Sequence, residues 1–307
     1  QKTSLTAAKP SVGNLILFID EASYIDYPLL KLIFQQAYDT KFVFIGDPAQ
    51  LTAVGTSASI VFQRGFKEVR LTEIVRQAKG NPIIELATNF RETVETGNFF
   101  NFVPDGVAVQ RLSREDFDAE LLTEFTRADW RYSDSKVLAW TNARVIAYNH
   151  FIRSHVKGDP QLQVGDYAIC NSFVIDKSIS FKTDQTVLIT GIKEKQTHYE
   201  VEGKVYELNG NANFFMPNSL ADKNTRLKKA QNNGEYGPAA HINNTWIDLR
   251  AAYSCTVNKA QGSTYDKVFI DLSDISRCNS GNQIARMLYV AVSRARHTVY
   301  LTGDLVK

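Results

Sequence analysis

The chain alternates between short unbroken apolar runs and amphipathic stretches. Leu15-Ile16-Leu17-Phe18-Ile19 is five apolar residues without alternation, which predicts a strand buried on both faces of a parallel sheet. Asp20 and Glu21 follow at its C-terminal end. Residues 27–37 carry a helical pattern with Pro28 in the first turn. Phe42-Val43-Phe44-Ile45 predicts a second buried strand. It closes in a sharp Gly46-Asp47-Pro48 turn that sets Gln50 on the same sheet edge as Asp20. Residues 69–77 read as a strand leaving the first domain. Asn81-Pro82 opens a helix through Ile83, Ile84, Ala87 and Phe90. The composition loosens at 96–98 and 104–106, a linker.

A second α/β pattern starts at 107–109. Ser113 and Asp116 open a helix with Phe117, Leu121, Leu122 and Phe125 on its apolar face. Val137-Leu138-Ala139-Trp140 predicts a buried strand, then Thr141-Asn142 and a helix over 146–152. Between 158 and 243 the period shortens. Runs at 164–170, 186–190, 198–201 and 204–208 predict short strands, with turns at Gly165-Asp166, Gly191, Gly203 and Asn209-Gly210. That is the pattern of a small β-barrel inserted into the second α/β domain. The polar run 221–237, with Lys223, Arg226, Lys228 and Lys229, reads as a solvated helix rather than a nucleic-acid contact. The α/β pattern returns with strands at 267–270 and 299–301 and a helix over 284–293.

Composition narrows the class. With 307 residues there is room for two or three cores. A hydrophobic share of 44% and a charged share of 22% are ordinary for a soluble globular protein. The formal net charge of +2 provides no global basic field, so a polyanion must be held by local patches. Cys170, Cys255 and Cys278 lack metal-ligand spacing, and their odd count argues for a reducing compartment over a disulfide framework or a zinc site. No apolar run reaches the roughly 20 residues needed to span a bilayer. The N-terminal residues lack the apolar centre of a signal peptide. A cytoplasmic protein without membrane contact is the expectation. The first residue is Gln, which points to a start inside a longer protein or after processing.

The candidate chemistry lies at strand ends. A carboxylate at the C-terminal edge of a parallel sheet can hold Mg²⁺, and a neighbouring one can orient or deprotonate a water. Asp20 and Glu21 fit that pair, and equally fit two solvated acids on a turn. Gln50 can touch a phosphate or its water, or sit in an ordinary strand-to-loop turn. Thr141 and Asn142 suit bonds to phosphate or sugar oxygens, or plain helix capping.

In their order along the chain, Asp20-Glu21-Ala22-Ser23, Gly46-Asp47-Pro48-Ala49-Gln50-Leu51, the stretch from Leu71-Thr72-Glu73 to Arg76, residues 256–264, and the stretch from Leu288-Tyr289-Val290 to Arg294 resemble superfamily-one DNA helicases, within them the RecD and Dda-like group. The resemblance implies two RecA-like parallel-sheet domains, the first incomplete at its N-terminus, with an SH3-like β-barrel inserted in the second. The corresponding boundaries are 1–100, then 101–157 with 244–307, and 158–243 for the barrel. It implies that ATP and Mg²⁺ are used, with Asp20 on the metal and Glu21 activating the water. Gln50 would sense the γ-phosphate, Arg76 and Arg294 would act as arginine fingers, and Gln261 and Gly262 would lie between nucleotide and DNA. Thr141, Asn142, Thr256, Asn258 and Lys259 would line a single-strand track. The implied partners are single-stranded and tailed duplex DNA, travelled 5′→3′, and proteins of replication, recombination or repair.

One expected part is missing. No G-x-x-x-x-G-K-[S/T] occurs, and the only Gly-Lys, Gly203-Lys204, precedes Val205 in the barrel pattern. The phosphate loop and most of a wedge-like hairpin are expected upstream, with residues 1–11 as the hairpin's tail. The chain alone is then expected to bind ATP poorly and not to unwind DNA. Two other functions compete: a non-catalytic DNA-binding or partner-binding protein, and the motor subunit of a helicase–nuclease complex. Asp20, Glu21 and Arg294 disfavour the first; for the second, no nuclease-type carboxylate cluster is evident, so any cutting would belong to a partner.

Overall fold

The computed structural model describes residues 12–53, 56, 58–71 and 80–305. The chain opens with β1 (Val12–Ile19), α1 (Tyr27–Gln35), β2 (Ala37–Phe44), α2 (Pro82–Thr96), β3 (Val109–Leu112), α3 (Arg114–Phe125), β4 (Ser135–Ala139) and α4 (Asn142–Lys157). A strand-rich stretch follows: β5 (Tyr167–Cys170), β6 (Val174–Asp176), β7 (Ile179–Phe181), β8 (Thr186–His198), β9 (Val201–Leu208) and β10 (Ala212–Pro217). Then come α5 (Leu220–Asn232), α6 (Tyr236–Thr245), β11 (Leu249–Ala251), β12 (Ser254–Thr256) and α7 (Val257–Ala260). The described chain closes with β13 (Tyr265–Asp271), α8 (Leu272–Ile275), α9 (Gly281–Ser293) and β14 (Ala295–Thr302). The fold is mixed α/β with parallel strand pairing.

Two compact units divide the chain, one of residues 1–114 with 260–307 and one of 115–259. In the first, β1 and β2 pair in parallel from Val12↔Ala37 to Ile19↔Phe44, and the ladder runs on through Ile45 N to Ile19 O and Ala22 N to Ile45 O, each 2.8 Å. Helix α1 starts as its sequence dictates, with Asp26 capping the Leu29 amide and Pro28 in the first turn. It covers one face of the pair, where Ile19, Ile33 and Phe44 pack on Ala22, Ile25, Leu30 and Val61.

The other face departs from the sequence-based expectation of a fully buried strand. Phe18 is 64% exposed and Ile16 55%, and Val43, opposite Phe18 in the register, is exposed as well. The apolar run does form a strand, but among the described residues α1 covers only the face bearing Ile19 and Phe44.

Elsewhere in this unit β13, β14 and β3 pair in parallel. Helix α9 buries Ile284, Ala285, Met287, Leu288, Val290, Ala291 and Val292, and Ala285 meets Val94 of α2 and Ala49. Asn81 caps α2 as expected, and Gly97 ends it in the left-handed region.

In the second unit β4 and β12 pair in parallel, Thr256 opposite Ala139. Asn149 of α4 clamps β12 by exchanging bonds with both main-chain groups of Ser254. Strands β5, β8, β9 and β10 join β11 in a five-stranded sheet, ordered β10-β9-β8-β5-β11, with all pairs antiparallel, and β6 pairs with β7. Phe215, Val201, Ile242 and Trp246 pack together on it. Three expectations fail here. The predicted strand 198–201 is a reversal, since Tyr199 and Glu200 both adopt positive φ between β8 and β9. Gly191 and Gly203 are not turn glycines but strand positions where another chain segment comes close. A Cβ on Gly203 would sit 2.3 Å from Met216 O, and one on Gly191 2.6 Å from Glu207 Oε2. Asn209-Gly210 is the hairpin turn its sequence announces.

Candidate active site

The C-terminal ends of β1 and β2 carry the acid pair and the Gln50 loop, in the first unit. Gly46 lets them meet, because a Cβ there would lie 3.1 Å from Ala22 N and 3.2 Å from Ser23 N. Asp20 is exposed and accepts a 2.8 Å bond from the Glu21 amide. Glu21 has φ +52°, a left-handed conformation that costs a non-glycine residue about 1 kcal/mol or more. It turns the chain abruptly into the short 3₁₀ turn Ala22–Tyr24.

The Glu21 carboxylate is gripped by residues distant in sequence. Gln261 Nε2 donates to Glu21 Oε2 at 3.0 Å, and Tyr24 donates to Gln261 Oε1 at 2.6 Å. The polarity of this chain is fixed. A carboxylate only accepts, so the amide must present its NH₂ to Glu21 and its oxygen to Tyr24, which must then donate. Burial first, then the Glu21 charge, push the Tyr24 phenol up to about 12, with Arg294 opposing, so the donor proton persists at neutral pH. Gly262, at φ +79°, brings its Cα beside the same carboxylate, and a Cβ there would lie 3.7 Å from Glu21 Oε1.

Arg294, the candidate finger, is 3% exposed. It donates to Val290 O and Ser263 O, both at 3.1 Å, and to Ser293 Oγ at 2.8 Å, tying the end of α9 to the turn that holds Gln261. Arg76, the other candidate finger, lies outside the described residues, as do 1–11 and most of the predicted strand 69–77.

The Gln50 loop is held from α9. Asp47 accepts the Ala49 amide within the loop, the Tyr289 hydroxyl at 2.6 Å and Arg91 of α2 at 2.7 Å. Arg286 donates to the carbonyls of Pro48 and Gln50, each 2.6 Å. Burial, then the Asp47 charge and hydrogen bond, push Tyr289 up to about 12. Pattern reading passed over Tyr24, Arg91 and Arg286, and quoted Tyr289 only within a motif, without a site role. The only signal for α9 was the polar spacing Asn282, Arg286, Tyr289 down one side of an otherwise apolar helix. Tyr24 had none, its partner being 237 residues away.

The donor set suits a phosphate and its metal. Mg²⁺ is bound by one or two carboxylates with phosphate oxygens and water completing the shell. Asp20 is an exposed carboxylate next to Glu21, and no group of three or more potential ligands occurs among the described residues. Ser23 Oγ and Gln50 Oε1 are buried without a hydrogen-bond partner, the kind of orphan a bound polar group satisfies.

The candidate strand-track residues lie in the second unit. Thr141 caps α4 through the Arg144 amide. Asn142 accepts from Arg250 at 2.8 Å, and Arg250 also meets Asp248. Thr256 accepts a weak bond, 3.4 Å, from the Lys259 amide, and Lys259 Nζ pairs with Asp184 at 2.6 Å. Asn258 sits on the short α7. Arg296 forms an ion pair with Asp266.

Residues 251–302 match the UvrD-like helicase C-terminal domain, and residues 5–101 match an AAA domain. The Pif1 helicase from Bacteroides, solved with ADP-AlF3 and ssDNA, superposes with a TM-score of 0.51 at 17% identity, over 95% of this chain and 71% of that one. Pif1 from Candida albicans gives 0.52 at 18%, over 94% and 72%. The uncharacterised protein R530 of Acanthamoeba polyphaga mimivirus is 19% identical over 93% of this chain and 74% of its own. Together these findings support a superfamily-one helicase. At such identities the structural likeness speaks for the fold. The Glu21–Gln261 bond joins the two matched segments, and no helix among the described residues is long and apolar enough to cross a membrane.

Proposed function

We propose that this chain supplies most of an ATP-dependent DNA helicase motor that moves 5′→3′ on single-stranded DNA and opens tailed duplexes. The observation that carries it is the convergence of Gln261 and Gly262, from the helicase-matched segment, on the carboxylate of Glu21, from the AAA-matched segment. Mg²⁺ and ATP, when bound, supply the electrophilic phosphoryl group and the charge shielding around it. Asp20 would hold the metal. Glu21 accepts the proton of the attacking water, and Gln261 fixes which carboxylate oxygen faces it. Gln50 offers its unpaired Oε1 from a loop that Asp47 and Arg286 keep rigid. Arg76 and Arg294 act as arginine fingers. For Arg294 that requires exchanging its main-chain partners for phosphate oxygens, which ties the bond at Ser263 to the nucleotide state.

The two RecA-like domains, the inserted SH3-like barrel and the RecD and Dda-like polarity belong to the same proposal and rest on the sequence resemblance. Thr141, Asn142, Thr256, Asn258 and Lys259 contact the strand backbone. Hydroxyl and amide groups at the adjacent ends of β4 and β12 suit phosphate and sugar oxygens. A non-catalytic DNA-binding protein is the second reading, favoured by the absence of G-x-x-x-x-G-K-[S/T] from the 307 residues.

The test is binding of a fluorescein-labelled oligo-dT across a salt series, alongside phosphate release from ATP. We expect salt-dependent binding, weakened by Lys259→Gln, and no phosphate release by this polypeptide alone. Absence of oligo-dT binding at about 50 mM salt, where the Debye length is roughly 14 Å, would refute both readings. DNA-stimulated hydrolysis by this polypeptide alone would remove the need for the missing loop. Where unwinding is obtained, displacement from a 3′ tail only would sink the polarity.

A further inference from the structure

Lys259 of the strand track and Arg250, which holds the track residue Asn142, each pair with an acid. Lys259 ends the short α7, and its Nζ lies 2.6 Å from Asp184 Oδ1. Asp184 sits between β7 and β8 at φ +65°, and its amide donates to Cys170 O at 2.7 Å. One residue on, Asn171 donates to Asp248 at 2.7 Å, and Asp248 meets Arg250, which holds Asn142. Both acids act on the buried Cys170 thiol, which burial first and then their charges push up to about 12. The cluster therefore holds Lys259 and Arg250 against Asp184 and Asp248, with no net charge.

The two pairs differ in accessibility. Arg250 and Asp248 are largely enclosed, with 16% and 13% of their side chains exposed. Lys259 and Asp184 are open, at 24% and 43%. An open lysine–carboxylate pair contributes little to stability and parts readily. A carboxylate oxygen at 2.6 Å from an ammonium stands where a phosphate oxygen would stand.

We propose that Asp184 is an affinity-setting residue of the strand track: its carboxylate fills the phosphate seat on Lys259, and a backbone phosphate of single-stranded nucleic acid must displace it to bind. This rests on the nucleic-acid reading given above. Asp184 then lowers affinity twice, by competing for Lys259 and by repelling the incoming phosphate. Both effects fade as salt screens them. The seat opens only to an anion that brings further contacts along the strand, so isolated phosphate is a poor competitor.

The experiment is fluorescence anisotropy of a labelled oligo-dT on the full chain, from about 50 to about 300 mM NaCl, over which the Debye length falls from roughly 14 to roughly 6 Å. The variants are Asp184→Asn, Lys259→Gln, the double variant, and Asp222→Asn on α5 as a control of equal charge change. Asn tolerates positive φ, so the turn is kept. Asp184→Gly, equally suited to that φ, replaces it if circular dichroism shows a loss of fold. We expect Asp184→Asn to tighten binding about three- to tenfold at low salt, with the gain shrinking as salt rises. Lys259→Gln weakens binding, lowers the salt slope by about 0.7, and abolishes the gain from Asp184→Asn. An unchanged affinity in Asp184→Asn, an equal gain in the Lys259→Gln background, or an equal gain in Asp222→Asn overturns the proposal while oligo-dT binding by the unaltered chain stands. If neither the unaltered chain nor Asp184→Asn binds oligo-dT, the nucleic-acid reading falls and takes this proposal with it.

Discussion

The Tyr24 hydroxyl donates a 2.6 Å hydrogen bond to Gln261 Oε1, and by doing so decides which end of that amide faces Glu21. Tyr24→Phe removes the donor and nothing else of size. The expected loss is about 0.5–1.5 kcal/mol of unfolding free energy, read by urea denaturation. In any form of the protein that hydrolyses ATP, the same change lowers kcat and leaves KM for ATP unaltered, because it loosens the base without touching a substrate contact. An unchanged kcat would show that the amide holds its orientation unaided.

Glu21→Gln tests the base itself. It replaces a charge-assisted bond to Gln261 with one between two amides, which remain compatible donors and acceptors, so the fold is expected to hold. Hydrolysis, where measurable, falls by about 10²–10⁴. A loss under tenfold would move the base elsewhere.

Tyr289→Phe and Arg286→Gln test the grip of α9 on the Gln50 loop. Tyr289 donates to a carboxylate, a class of bond worth about 1.5–3 kcal/mol, and Arg286 satisfies two carbonyls at once. Both variants should unfold at lower urea concentration. A double-mutant cycle between Tyr289→Phe and Arg91→Gln should show coupling, because both side chains converge on Asp47 Oδ2. Strict additivity would mean the two bonds act independently.

Lys136 of β4 is 2% exposed, and its ammonium donates to Ala252 O. Burial holds its pKa below the ordinary lysine value of 10.5. The unfolded chain thus keeps a proton that the folded chain surrenders sooner, so stability rises with pH from the folded pKa up to about 10.5 and is flat below that window. Lys136→Met removes the titration. The measurable result is a smaller rise in unfolding free energy with pH for the variant than for the unaltered chain.

Pattern reading located most elements within a few residues, because local signals such as Pro28, Asn81 and Thr141 state helix starts. It missed β6, β7, β10 and α6, which are short or weakly patterned. It also misjudged Gly191 and Gly203, since a glycine needed for close approach looks the same in sequence as one needed for a turn. Among the site residues, Asp20, Glu21 and Gln50 were legible as strand-end polar groups and Gln261 and Gly262 only through the resemblance, and the structure brings Glu21, Gln261 and Gly262 together. What the sequence concealed was partnership. Nothing local to Tyr24, Arg286 or Asp184 announces a bond across a long stretch of chain. Arg294 illustrates the same limit, for its donors turn to main-chain carbonyls that no motif encodes.

The side of β1 and β2 that nothing among the described residues covers governs how this polypeptide behaves in a tube. Phe18 and Ile16 stand in water with Val43 alongside. The attraction between such faces strengthens on warming, since apolar association weakens in the cold. Turbidity should therefore climb with temperature and protein concentration well before the main unfolding step. Phe18→Lys should keep the solution clear, and every assay above is best run cold and dilute.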